Sequence, residues 1–382
     1  IIIGRVAEGY KATIDTTLGT QSEKFVSEDT PDDPLYDKFS PSADVLNADG
    51  TGNSKALIQK AIDLNRQQAA EGAVLLKNND ENGQGLPLKG NKKVTLFGIR
   101  SHVSIMGSSF GVKAQGPYIS LEQALSQNRT DFKNTITYSM NTNRQTGEVT
   151  RDLTVGSWSG DEFDFEGAGY EINPVMTEVY SKLNETYLHA ENEGSANVYD
   201  PGEPSIAEIS NANPAYKDSL KEYSDAAIVV ISRPSAESTD YLPGGIAEGL
   251  GADEPLQLTA NERDIISLAK ESSDNVIVLI NTATPVEIGD LKNDSEIDSI
   301  LWIGFPGCYG MLGVSDILCG RTSPSGGLPD IYATSNLSAP AMQNMGHFQF
   351  TNADDVITRG SGQFGGDVGT YLIEAEGIYV GY

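Results

Sequence analysis

Ala226-Ala-Ile-Val-Val-Ile231 is the stretch on which the fold turns. It is apolar throughout, it does not alternate, and its last four residues are all β-branched. A strand of this kind has both faces buried, the condition of a parallel sheet with helices above and below. A helical segment, Ala215–Tyr223, precedes it, and Ser232-Arg-Pro-Ser-Ala-Glu237-Ser-Thr-Asp240 leaves it.

Working outward, the same kind of run recurs. Val94–Phe97 is followed by Gly98, and Thr135–Tyr138 follows a helix at Ser120–Gln127. Asn275–Ile280 follows a helix opened by the capping box Thr259-Ala-Asn-Glu262. Ser299–Ile303 precedes a helix near Tyr309–Leu318. Strands alternating with helices make right-handed βαβ units. The fold class expected is α/β, a three-layer sandwich with a mainly parallel sheet and helices on both faces, over residues 54–340. Leu57, Ile58, Ala61, Ile62, Ala69, Ala70 and Val74 recur at three- and four-residue steps and predict the amphipathic helix that opens it. Residues 1–53 read as an irregular, acidic N-terminal arm, and 341–382 as a long Gly- and Asp-rich loop with a domain-closing segment. The stretch 141–212, with one helix near Val175–Tyr187, reads as an insertion or lid.

The chain has 382 residues, 26 Lys and Arg against 54 Asp and Glu, and a net charge of −28. That charge repels phosphate backbones and anionic lipid surfaces, so neither nucleic acid nor a membrane is expected as partner. The apolar runs also fall far short of the ~20 residues that span a bilayer. The two cysteines, Cys308 and Cys319, lack the spacing of a metal or redox pair and read as buried thiols. His102, His189 and His347 are far apart, and no H-E-x-x-H, G-x-G-x-x-G, Walker or G-x-S-x-G pattern is present. No metal and no cofactor is therefore expected.

Carboxylates remain. In a parallel sheet, functional groups collect in loops leaving the carboxyl ends of strands. Three such loops stand out: 98–117, 232–255 and 304–310. Glu237 sits in the second, just past the most apolar strand, among small residues and with Asp240 three positions on. A loop carboxyl shielded by substrate can hold a raised pKa and act as a general acid. With three prolines and four glycines, the stretch 232–255 reads as a projecting, mobile loop.

At these residues the sequence resembles the C-terminal α/β sandwich domain of glycoside hydrolase family 3. The resemblance is carried by Glu71–Asn78 with Leu86-Pro-Leu88, Lys93–Gly98, Val276–Thr282 with Pro285-Val-Glu287, Leu301–Gly307, Asp316–Gly320 with Ser323–Pro329, and Glu376–Tyr382. It implies a retaining, exo-acting β-glycosidase, β-glucosidase- or β-xylosidase-like, in which an Asp nucleophile stands on a (β/α)₈ barrel. The acid/base is a Glu on the sandwich, in a pattern close to G-x-E-G-x-D-R or G-G-E-G-x-D-L. Ser235-Ala-Glu237-Ser-Thr-Asp240-Tyr241 matches its Glu and Asp and departs at both glycines and at the residue after Asp. Glu237 is then the catalytic candidate. Asp240 and Arg233 are the substrate-binding candidates, with Arg233 alternatively holding the loop or lying plainly on the surface.

No eight βα units are read in this chain. It is expected to be the front part of a sandwich-first enzyme, inactive alone, whose partners are a β-linked oligosaccharide or glycoside and a barrel domain. Apolar side chains around the three loops are expected to be exposed for that barrel. A reading of another class also stands: a non-catalytic carbohydrate-binding or assembly module, with Tyr118, Trp158, Tyr241, Tyr309 and Phe364 as stacking faces.

Overall fold

A computed structural model describes residues 46–48, 53–79, 84–106, 116–126, 134–142, 149–157, 165–187, 199–235, 241–344, 350–352, 355, 373, 375 and 377–379. The chain divides into two compact units, 1–57 and 58–382. Nearly all of the expected N-terminal arm and of the stretch after 344 lies outside the described residues.

The elements in chain order are α1 (Ser54–Gly72), β1 (Val74–Asn78), β2 (Lys93–Phe97), α2 (Ile99–His102), β3 (Gly116–Tyr118), α3 (Leu121–Leu125), β4 (Asn134–Thr142) and β5 (Val149–Ser157). Then come β6 (Glu171–Ile172), α4 (Pro174–Tyr187), α5 (Ile206–Ala212), α6 (Tyr216–Glu222), β7 (Ala226–Arg233), α7 (Ala260–Ser272) and β8 (Val276–Thr282). The described part of the sandwich closes with α8 (Gly289–Asn293), β9 (Ser299–Trp302), α9 (Met311–Cys319) and α10 (Pro340–Gln343).

The main sheet has the order β1-β9-β8-β7-β2-β6, parallel except for β1, which runs antiparallel to β9. Every residue of β7 and β8 is buried. Ala227, Val229 and Ile231 pack on one face with Val179 and Tyr180 of α4 and Ile265 and Ala269 of α7. Ala226, Ile228 and Val230 pack on the other with Ile62 and Ala70 of α1 and Leu312 and Ile317 of α9. Two apolar cores on one sheet make the three layers, as the unalternating strands require. On the second face α1 and α9 approach so closely that a Cβ at Gly313 would lie 2.1 Å from the carbonyl oxygen of Arg66. Beside that contact the Arg66 guanidinium grips Asp316 with two bonds, at 2.5 and 2.6 Å.

Two expectations are corrected. Thr135–Tyr138 is not a main-sheet strand: it lies in β4, the middle of a separate antiparallel sheet, β3-β4-β5. The full strand, Asn134-Thr-Ile-Thr-Tyr-Ser-Met-Asn-Thr142, alternates polar and apolar residues, which suits an antiparallel sheet with one covered face. Nor is 141–212 an insertion throughout. β6 pairs in parallel with β2 and forms the sheet edge, and α4 and α5 carry core residues such as Met176 and Ile209.

Candidate active site

The parallel strands β2, β7, β8 and β9 empty onto one edge, and four buried polar side chains bind that edge together. The first is Asn281, near the end of β8 and fully buried. Its amide oxygen accepts the Ile105 N–H at 2.7 Å and the Ser232 hydroxyl at 3.2 Å. Its NH₂ donates to the carbonyls of Ile105, at 2.8 Å, and Gly304, at 2.7 Å. One amide thus joins the end of β7 to the segments leaving β2 and β9. The crossing from β2 needs Gly98, whose φ of 90° is left-handed and whose Cβ would meet the Val230 carbonyl at 2.5 Å.

Arg233, the last residue of β7, is the second. It is 0% exposed. Its Nε donates to the Pro255 carbonyl at 2.8 Å, Nη1 to the Ser232 carbonyl at 2.7 Å, and Nη2 to the Gln257 carbonyl at 2.6 Å. Nη1 and Nη2 also form a fork onto Glu262, at 2.6 and 2.9 Å. Burial works against the charge of Arg233, but the Glu262 carboxylate outweighs it and the pKa is raised.

Glu262, the third, holds the Arg233 fork and at the same time closes the capping box of α7, accepting the Thr259 N–H at 2.8 Å. Glu203 is the fourth. One oxygen accepts the Ile99 N–H at 2.9 Å; the other has no hydrogen-bond partner among the described residues. Burial holds its pKa well above the usual carboxylate range, against the Ile99 bond and the Arg100 charge that favour ionisation. Burial likewise pushes the Arg100 guanidinium down to about 10.

Aromatic rings stand over this layer. The Tyr199 ring lies 5.8 Å from the Arg233 guanidinium carbon, within cation–π range. The Tyr241 ring meets Tyr199 edge-on at 4.9 Å. The Tyr241 hydroxyl donates to the Pro234 carbonyl. Burial raises the pKa of both phenols.

Glu237 and Asp240 lie outside the described residues, so the geometry speaks to their flanks alone. The chain leaves β7 at Arg233 and continues through Pro234 and Ser235, and the described residues resume at Tyr241. Arg233 is no surface residue: its N–H donors are taken by the carbonyls of Ser232, Pro255 and Gln257 and by Glu262. Residues 241–258 do not project: Leu242, Leu256 and Leu258 are buried, and the backbone is paired with Tyr199 and with Ala260 of α7. The proline and glycine content marks the turns of a packed loop here.

His102 is partly buried, and burial lowers its pKa. His189 and His347 lie outside the described residues. Cys308 and Cys319 are free and only half-buried. Among the described residues no three His, Cys, Asp or Glu are grouped to hold a metal ion, and no helix is long and apolar enough to cross a membrane. Of the stacking candidates, Tyr118 is buried, Tyr241 and Tyr309 are half-buried, and Trp158 and Phe364 fall outside. The large exposed apolar side chains among the described residues are Leu57, Leu64, Leu75, Ile331 and Ile378, none of them in the three loops expected to carry such a patch.

The family model for the glycosyl hydrolase family 3 C-terminal domain matches residues 73–382. The chain belongs to that family. β-Glucosidase A of Butyrivibrio fibrisolvens is 26% identical over 360 residues, which is 90% of this chain but 34% of that enzyme. β-D-xylosidase 3 of Arabidopsis thaliana is 34% identical over 92 residues, 24% of this chain and 12% of that enzyme. The chain thus spans about a third or less of these family 3 relatives. The fold is shared with β-glucosidase 3B from Thermotoga neapolitana, at a TM-score of 0.50 and 22% identity over 78% of this chain and 34% of that one. It is shared too with a β-glucosidase from Paenibacillus barengoltzii, at 0.50 and 23% over 75% of this chain and 25% of that one.

Proposed function

We propose that this family 3 domain supplies the acid/base half of a retaining, exo-acting β-glycosidase active site, β-glucosidase-like, with Glu237 as the acid/base. What supports the reading is the strand before it. In sequence Glu237 comes four residues after the end of the central, wholly buried strand β7, whose last residues Asn281 ties to the segments leaving β2 and β9. The kinship with β-glucosidase A over 90% of the chain supports the same reading.

Retention of configuration needs two carboxyl groups ~5–5.5 Å apart. In the first step Glu237, protonated, gives its proton to the glycosidic oxygen as a nucleophilic carboxylate on a barrel domain bonds to the anomeric carbon. In the second, Glu237, now ionised, takes a proton from the water that displaces the enzyme carboxylate. Asp240 orients Glu237 or binds the sugar. Arg233 fixes the strand end from which the loop departs.

The test is kinetic. In the enzyme containing this domain, Glu237→Gln should abolish turnover of alkyl and oligosaccharide β-glycosides. Dinitrophenyl glycosides, which need no acid, should still be cleaved, and azide should restore turnover of a Glu237→Gly variant and yield a glycosyl azide. The 382-residue chain alone should not hydrolyse nitrophenyl β-glucoside or xyloside above background. Turnover by that chain, or full activity without Glu237, would reject the assignment.

A further inference from the structure

We infer that Asn65 is a positioning residue for the substrate site: its side-chain amide spans the turn Pro306–Tyr309 and fixes the half-exposed rings of Phe305 and Tyr309 at the edge where the parallel strands end. The inference rests on the reading of that edge as a glycosidase site given above.

The turn lies over the strand ends. Asn281 of β8 joins the carbonyls of Ile105 and Gly304, and beside them the Gly307 N–H donates to the Met106 carbonyl at 2.8 Å. Cys308 packs against the core on one face of the sheet and Tyr309 against the core on the other, so the turn crosses the edge from face to face. The Cys308 carbonyl accepts the Ile119 N–H at 2.8 Å.

Asn65, on α1, takes the two backbone groups at the ends of the turn. Its NH₂ donates to the Pro306 carbonyl at 2.7 Å, and its amide oxygen accepts the Tyr309 N–H at 2.9 Å. An amide offers a donor and an acceptor side by side; a carboxylate would repel the carbonyl, and a leucine would serve neither group. The fit is close. Gly307 has a φ of 82°, and a Cβ there would lie 2.7 Å from the Asn65 oxygen. The next residue, Arg66, is gripped by Asp316 of α9, which fixes the helix turn that aims Asn65. With the backbone so held, the two rings are set before a substrate arrives, and binding it costs little ordering of the wall.

Asn65→Leu removes both bonds at similar volume. In the 382-residue chain, exchange of the Tyr309 amide should quicken about fivefold, the loss expected for one hydrogen bond worth ~1 kcal/mol, with β7 and β8 unchanged. In the enzyme containing this domain, KM for a β-linked oligosaccharide should rise several-fold at constant kcat, the mark of lost ground-state binding. Phe305→Ala combined with Tyr309→Ala should raise KM by itself, and Asn65→Leu should add nothing in that background.

The two readings fail separately. If Glu237→Gln spares alkyl-glycoside turnover, the acid/base reading fails, and the KM response to Asn65→Leu still decides Asn65. If Glu237→Gln abolishes that turnover while Asn65→Leu leaves KM unchanged, or raises it equally once both rings are gone, Glu237 stands and the role of Asn65 is overturned.

Discussion

The middle of β7 and its last residue are equally dry and chemically opposite. Ile228, Val229 and Val230 are buried among aliphatic side chains; five residues further on from Ile228, Arg233 is just as buried among carbonyls and a carboxylate. The apolar region is held by contact area, which tolerates small rearrangements. The charged region is held by stoichiometry: each donor has its acceptor, and removing one partner strands the other.

The largest expected effect tests that difference. Arg233→Met should cost about 3–5 kcal/mol by leaving Glu262 charged and unpaired, and adding Glu262→Leu should recover most of it. Denaturant midpoints of the single and double variants measure this; equal midpoints would mean that the pair is not coupled. In the apolar region Leu279→Ala, in β8, should cost about 3 kcal/mol through lost transfer energy and an uncollapsed cavity, with no single second-site rescue. Asn281→Ala should cost about 1–3 kcal/mol, since it orphans the Ile105 N–H and the Gly304 carbonyl. Amide exchange should then rise in the segments after β2 and β9 and stay low inside β8.

The smallest effect near pH 5 belongs to Glu203, and it grows with pH. Its folded pKa is raised above its unfolded value by burial. Its contribution is therefore intact below the unfolded pKa of ~4.3 and is lost as pH rises toward the folded pKa, at up to about 1.4 kcal/mol per unit. Glu203→Gln should gain on the parent as pH rises above ~4.3, with a gap in melting temperature that widens with pH until the folded pKa is reached. Parallel curves would show that Glu203 does not carry a proton in the folded state.

The same contrast explains what the sequence discloses. Ala226–Ile231 and Val276–Ile280 declare a doubly buried strand because apolar burial is written in consecutive residues. Charge burial is written in pairs far apart. Thr259-Ala-Asn-Glu262 is legible as a capping box, but the grip of Glu262 on Arg233 reaches back 29 residues with no local trace. Glu203 and Asn281 act through partners as far as 104 and 176 residues away, so neither is legible as a site residue. α5 did have a signal: Ser205-Ile-Ala-Glu208 forms a full capping box. β6 had almost none, since two residues, Glu171 and Ile172, carry no periodicity. The extent of β4 was legible in its alternation, which runs past the four residues first read as a strand.

β1 closes one end of the main sheet, and its pairing with β9 slips between Leu75 and Lys77. Among the described residues nothing extends the sheet beyond it. An open strand with its backbone groups evenly spaced is a template for another chain. The slip breaks that spacing, and Lys77 bends away to the Asp294 carbonyl at 2.5 Å. At the opposite end β6 offers two residues, too few to seed a partner strand. Both margins of a strongly apolar sheet are thus poor surfaces for stacking molecule on molecule, so a protein with so dry a centre can stay dispersed while its strands assemble.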